Sequence, residues 1–164
     1  MGWDGKDRGK RHHTVAHTYT NIVIHALFST KGRRPWINVE MRRELFPYMG
    51  GIVNRLGGNS LRVNGVADHV HMLLNQAPDL PLADLMGKVK ANSSGWIKKR
   101  WPACGDFAWQ AGYAAFSVSS SRVEEVRKYI AAQEEHHRKV SFQEEVLAFL
   151  KRNGIAYDPR YVFG

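Results

Sequence analysis

Residues 68–74, Asp-His-Val-His-Met-Leu-Leu, carry the most chemically suggestive pattern in the chain. In a strand, residues two apart share a face, so His69 and His71 point the same way, with Cβ atoms roughly 6–7 Å apart at a rise of ~3.3 Å per residue. Two imidazoles at that separation can close on one cation, because each metal–nitrogen bond spans roughly 2 Å. Val70, Met72 and Leu74 point the other way, toward a core. A second pattern lies at residues 129–137, Tyr-Ile-Ala-Ala-Gln-Glu-Glu-His-His. Tyr129 and Gln133 are four residues apart and share a helix face. Gln133 offers an amide oxygen as a third ligand, and Tyr129 a phenol that could act as a nucleophile. Asp68, His136 and His137 suit groups that support the ligands from behind. Blander readings stay open at this point: two solvated strand histidines, a tyrosine packed in a core, and polar surface at 136 and 137.

The elements that must position these residues follow from periodicity. Residues 18–29 alternate as a strand, with Ile22, Ile24, Ala26 and Phe28 on one face and Asn21, Val23, His25 and Leu27 on the other. Asn38 is an N-cap for a helix carrying Leu45, Met49, Ile52, Val53 and Leu56, stopped by Gly57-Gly58; Pro47 should kink or split it. Strands are expected at 59–67 and 69–75, then a long helix from Leu82 with a basic face, then a strand over 107–119 bent at Gly112. Two capping boxes, Ser121-x-x-Glu124 and Ser141-x-x-Glu144, should open helices at 121–138 and 141–153. The order is β-α-β-β-α-β followed by two helices. That order predicts an α+β, ferredoxin-like/RRM-like antiparallel sheet with helices on one face and the other face partly open, the tyrosine being carried by the C-terminal helices.

The chain has 164 residues, enough for one domain with a real core. Residues 1–17 read as a flexible basic arm and 18–164 as a single domain. The arm has no apolar stretch behind its positive charge, so no signal peptide is expected. No apolar run approaches the roughly 20 residues of a membrane span. The lone Cys104 fits a reducing cytoplasm. Lysine and arginine number 24 against 15 acidic residues, a net charge of +9. Such a field favours polyanions through counterion release, which puts nucleic acid first among partners.

The His-x-His preceded by Asp68, together with the later Tyr-x-x-x-Gln helix, resembles the HUH-type single-tyrosine transposases of the smallest bacterial insertion sequences. These form the IS200-like family, with relatives associated with repetitive extragenic palindromes. Tyr19 to Arg34 resembles the first strand and basic loop of the same family, the segments 93–96 and 107–113 resemble its later strand region, and the likeness spans roughly residues 18–140. The resemblance implies cleavage and rejoining of single-stranded DNA, often hairpin-containing. In it His69, His71 and Gln133 match the metal ligands and Tyr129 the nucleophile, which becomes linked to a 5′ phosphate. It also implies a homodimer, commonly with the tyrosine helix of one subunit serving the other; the residues leave cis and trans placement open. Nitrogen and amide-oxygen ligands without thiolate suit Mg²⁺ or Mn²⁺.

DNA contacts are expected on the open face and its rim. His25 should sit beside the histidine pair, Lys31, Arg33 and Arg34 should meet phosphates, and Trp36 could stack on a base. Lys88 and Lys90 are further candidates on the second helix. For Trp36 and Trp109, core packing is the commoner fate. Two other functions compete: a non-catalytic nucleic-acid-binding module of RRM-like fold, and a domesticated hairpin-nicking endonuclease.

Overall fold

The structure is a computed structural model that describes residues 18–163; the expected basic arm, residues 1–17, lies outside the described residues. Its elements are β1 (Val23–Ser29), α1 (Val39–Arg55), β2 (Asn59–Gly65), β3 (His69–Asn75), α2 (Leu82–Arg100), β4 (Ala114–Val118), α3 (Val123–Ala131), α4 (Gln133–His136) and α5 (Phe142–Arg152). The sheet order is β2-β3-β1-β4 and every neighbouring pair is antiparallel. The β-α-β-β-α-β order is therefore as the sequence predicts. Among the described residues, no helix is long and apolar enough to cross a membrane.

The alternation of β1 and β3 sorts their side chains into two layers. Ala26, Phe28, Val70, Met72 and Leu74 join the main core with Met41, Leu45 and Met49 of α1 and Leu85, Met86 and Val89 of α2. The opposite face carries His25, Leu27, His69, His71 and Leu73. It is not open: Leu27 and Phe116 pack under Phe142, Val146 and Leu150 of α5, while Val23 and Leu73 pack under Ile130 of α3. The apolar stripes of the C-terminal helices need a surface to cover, and the second face of the sheet provides it. His25, His69 and His71 are accordingly 3%, 1% and 0% exposed.

Local signals set most helix ends. Asn38 accepts the Met41 N–H at 2.8 Å, and Gly57, at φ 85°, follows the end of α1. Ser141 and Glu144 form the full capping box of α5. Three expectations are overturned. Helix α1 runs through Pro47 unbroken, because Pro47 and Arg43, whose carbonyl loses its partner, both lie on the exposed side. The Ser121 box does not form: residues 120–122 make a 3-10 turn, the Ser121 hydroxyl meets that of Ser119 at 3.3 Å, and α3 starts at Val123 without a side-chain cap. The helix expected over 121–138 breaks at Ala132 (φ −94°, ψ 19°). There Asn64 of β2 donates to the carbonyls of Ile130 (2.8 Å) and Ala131 (3.1 Å), which a continuous helix would use itself.

The strand expected over 107–119 is confined to β4. Upstream of it, Lys90 donates to the carbonyls of Gln110 and Gly112, both at 2.6 Å, and Gly112 takes φ 77°. Trp109 makes a single bridge to Thr30 and buries its ring in the core, its indole N–H on Ser93 at 2.9 Å.

The turn that delivers His69 depends on a missing side chain. A Cβ on Gly65 would stand 2.2 Å from the His69 carbonyl oxygen and 2.9 Å from the Val70 Cα, both backbone atoms that cannot swing away. Gly65→Ala is therefore expected to destabilise the fold by about 1–3 kcal/mol or more, measured as a lowered denaturant midpoint.

Candidate functional site

Strand β3 presents His69 and His71 to the same side, as the spacing predicts, and they meet side chains from the C-terminal helices. His69, His71, His137 and Glu145 each aim one ligand atom at a common point, all within 4.8 Å of one another. His137 follows α4 directly, and Glu145 comes from the first turns of α5. Phe142 of α5 stacks on His69 (ring centroids 4.4 Å apart) and closes the pocket on that side.

Hydrogen bonds on the far side of each ring fix what the near side offers. His69 Nδ1 donates to the Asp68 carboxylate at 2.7 Å, and His137 Nδ1 donates to the Val140 carbonyl at 2.8 Å; neither acceptor has a proton to give. The neighbouring His69 holds the Asp68 carboxyl below its ordinary value against the opposing effect of burial. The two Nε2 atoms then face each other as lone pairs across 2.8 Å. His71 Nδ1 is paired with His25 Nε2 at 2.9 Å, and its buried Nε2 has no hydrogen-bond partner. Burial, and next the neighbouring His69, push His71 well below the ordinary histidine range, so a proton is a poor bridge here. Converging lone pairs in a dry pocket, with a carboxylate among them, fit a cation.

Glu145 joins this cluster to the tyrosine. It is 3% exposed. Its Oε2 lies 3.1 Å from His137 Nε2 and 3.3 Å from His71 Nε2. Its Oε1 accepts the Tyr129 hydroxyl hydrogen bond. The same hydroxyl lies 3.3 Å from His136 Nε2. The Tyr129 ring is half-buried, 6.2 Å from the rings of both His71 and His25, so one chain brings its own tyrosine to its own histidines. A cleft of about 320 Å³ opens beside it between α3 and α5, lined by His25, Arg122, Tyr129, His136, Glu145 and Arg152 among others.

The other sequence-predicted residues divide. Gln133 is fully buried and neither of its amide atoms has a partner. Because of the break at Ala132 it does not share a helix with Tyr129. Lys31, Arg33 and Arg34 are exposed on the turn after β1, and the charge of Arg33 reaches Asp68 at the rim of the site. Trp36 packs against the main core with the Arg34 guanidinium 4.3 Å above its ring. His25 is buried with Phe149 and Tyr129 edge-on to its ring, so it lines the floor of the cleft between α3 and α5 rather than an open face. Lys88 is exposed, but α2 lies across the sheet from the histidines; Lys90, on the same helix, is committed to the carbonyls of Gln110 and Gly112.

Sequence reading missed Glu145 and gave His137 only a supporting place. One signal was available: Phe142, Glu145, Val146 and Leu150 form the buried stripe of α5, and an acid in an apolar stripe needs a partner.

Comparison with known proteins follows the same lines. A family model for IS200-like transposases matches residues 18–133. The curated transposases for insertion sequence element IS200 from Salmonella typhimurium and Salmonella typhi are each 27% identical over 133 residues, covering 76% of this chain and 85% of theirs. Two solved structures share the fold. One is a candidate transposase from Deinococcus radiodurans R1 (22% identity, TM-score 0.58, 72% of this chain and 94% of that one). The other is a REP-associated tyrosine transposase bound to a REP hairpin (13% identity, TM-score 0.56, 76% of this chain and 73% of that one). His137 and Glu145 lie beyond the matched residues of the family model.

The buried histidines set a pH dependence. Burial, then His71, lowers His25 to about 3; burial, then His69, lowers His137 to about 4; His71 is lowered too. The unfolded chain therefore binds more protons below about 6.5, and stability present above that pH is lost as it falls toward 4. Glu145, raised to about 7 by burial, acts in the opposite sense, losing stability as pH rises from about 4.5 through 7. Three groups outweigh one. In EDTA, stability from denaturant titration is expected to fall by about 1–2 kcal/mol per pH unit between pH 6 and 5.

Proposed function

The chain belongs to the IS200-like transposase family, and on that premise we propose that it cleaves and rejoins single-stranded DNA through a covalent bond to Tyr129. The observation that carries this reading is the convergence of His69 and His71 on a buried cluster that reaches the Tyr129 hydroxyl through one carboxylate. His69 and His71 would hold a divalent ion, with Gln133, buried and unpartnered, as the third ligand and His137 within reach of the same point. Such an ion polarises the non-bridging oxygens of a phosphodiester and offsets the charge that develops there. An imidazole-rich donor set shifts the preference within Mg²⁺ and Mn²⁺ toward Mn²⁺.

The chain's own residues account for the rest. A phenol of pKa near 10 needs a proton acceptor at neutral pH, and His136 Nε2 is 3.3 Å from the hydroxyl. The Tyr129 oxygen forms the new bond to phosphorus, the bond to the 3′ oxygen breaks, and that oxygen takes up a proton and leaves as a 3′ hydroxyl. The 5′ phosphate stays esterified to Tyr129, so the same groups can run the step backward and rejoin the strand without ATP. Asp68 and Val140 keep their histidines in the tautomers that point lone pairs inward.

The exposed cations Lys31, Arg33 and Arg34 lie where they can position phosphates near the site. The REP-associated neighbour is bound to a hairpin, which supports a hairpin-containing strand as the substrate here. A homodimer is part of the same reading, as is a cytoplasmic place of action. The alternative of an RNA-binding platform has less support, because α3 and α5 cover the sheet face that such a module would expose.

Two measurements test the proposal. Tyr129→Phe should abolish the slow-migrating protein–DNA adduct formed on a single-stranded hairpin oligonucleotide while leaving binding intact; an adduct at wild-type level would overturn the nucleophile. His71→Ala should weaken Mn²⁺ binding by at least about tenfold and remove cleavage, which EDTA should also do to the wild type; full activity in EDTA rejects the metal role.

A further inference from the structure

Glu145 holds two positions that the reaction needs for its substrate. One of its oxygens accepts the Tyr129 hydroxyl, and the other lies 3.1 Å from His137 Nε2 and 3.3 Å from His71 Nε2. A scissile phosphodiester must also make both contacts at once. Its phosphorus has to come within about 3–3.5 Å of the phenol oxygen, and one non-bridging oxygen has to reach the ion held by the histidines. A carboxylate and a phosphodiester are both monoanions, and each presents two equivalent oxygens. The two groups cannot occupy that place together.

We propose that Glu145 is a displaceable ligand, standing in for the scissile phosphate beside Tyr129 until a DNA strand takes its place. This rests on the strand-cleavage reading above and adds a closing group to it. The element that carries Glu145 suits such an exchange. Helix α5 is anchored on the sheet by a small satellite cluster, Phe142, Val146 and Leu150 on Leu27 and Phe116, separate from the main core. The cleft between α3 and α5 reaches both Tyr129 and Glu145; in its walls Arg122 is paired with Glu125, and Arg152 and Glu144 balance each other in charge, so a strand that enters gains its anchor at the histidine cluster rather than from the walls. With Glu145 displaced, His136 still stands 3.3 Å from the hydroxyl to take its proton. Glu145 lies beyond residue 133, where the match to the family model ends.

The test compares wild type, Glu145→Gln and Glu145→Ala in two binding assays. Mn²⁺ affinity is read without DNA, from the spectroscopic signal of the free ion. Affinity for a single-stranded hairpin oligonucleotide is read at saturating Mn²⁺. Loss of a ligand should weaken Mn²⁺ binding about tenfold. Loss of the competing carboxylate should tighten strand binding by about three- to tenfold. Opposite signs are the signature, because a damaged fold lowers both affinities; circular dichroism of the two variants checks that they are folded. Unchanged Mn²⁺ affinity in a folded variant, or strand binding no tighter than wild type, overturns the proposal. The Tyr129→Phe adduct assay separates the two ideas: a persistent adduct sinks the nucleophile assignment, while the Mn²⁺ arm still reports on Glu145 alone.

Discussion

Two ring nitrogens, His69 Nε2 and His137 Nε2, face each other 2.8 Å apart in a buried pocket, and each ring has its proton committed on the other side. That contact is repulsive unless something positive lies between them. Much of the architecture around the pocket serves to hold them there. The tight β2–β3 turn delivers His69 with Asp68 behind it, and the turn after α4 brings the Val140 carbonyl under His137. Phe142 closes the pocket from α5. The energy for holding lone pairs together comes from apolar contacts elsewhere, chiefly the core on the far side of the sheet, where β1 and β3 meet α1 and α2.

The sheet thus has two sides with different duties. One side is an ordinary apolar interface. The other mixes apolar patches with polar chemistry: Leu27 and Leu73 anchor α5 and α3, and between these anchors lie His25, His69 and His71. Covering the histidines excludes water, which strengthens each electrostatic interaction among them. The same cover costs access, and the cleft between α3 and α5 is where the structure leaves room.

The sequence was most readable where the signal was local. The alternation of Val70, Met72 and Leu74 against His69 and His71 assigned both faces of β3 correctly, and the same pattern worked for Ala26 and Phe28 against His25 and Leu27. Asn38, Gly57 and the Ser141–Glu144 box marked real helix ends. Failures came from distant partners. Asn64 is 66 residues from Ile130, yet its amide ends α3. Lys90 captures two carbonyls of the segment read as a strand, 20 and 22 residues on. The covered face was missed for a related reason: Val123, Val126 and Ile130 recur at helical spacing, but no periodicity says which surface such a stripe will choose. Glu145 was legible only as an acid within an apolar stripe; the partners that bury it, Tyr129 and His137, come from outside α5 and no local signal names them.

The interruption at Ala132 mounts the phenol and the imidazole of His137 on separate rods joined by a short joint. A single uninterrupted rod would fix the direction of one by that of the other, so the packing that orients the phenol would also dictate where the His137 imidazole points. With the joint, each group takes its direction from its own anchors: Tyr129 from Ile130 packed on Val23 and Leu73 and from the Asn64 amide at the end of α3, and His137 from the Val140 carbonyl.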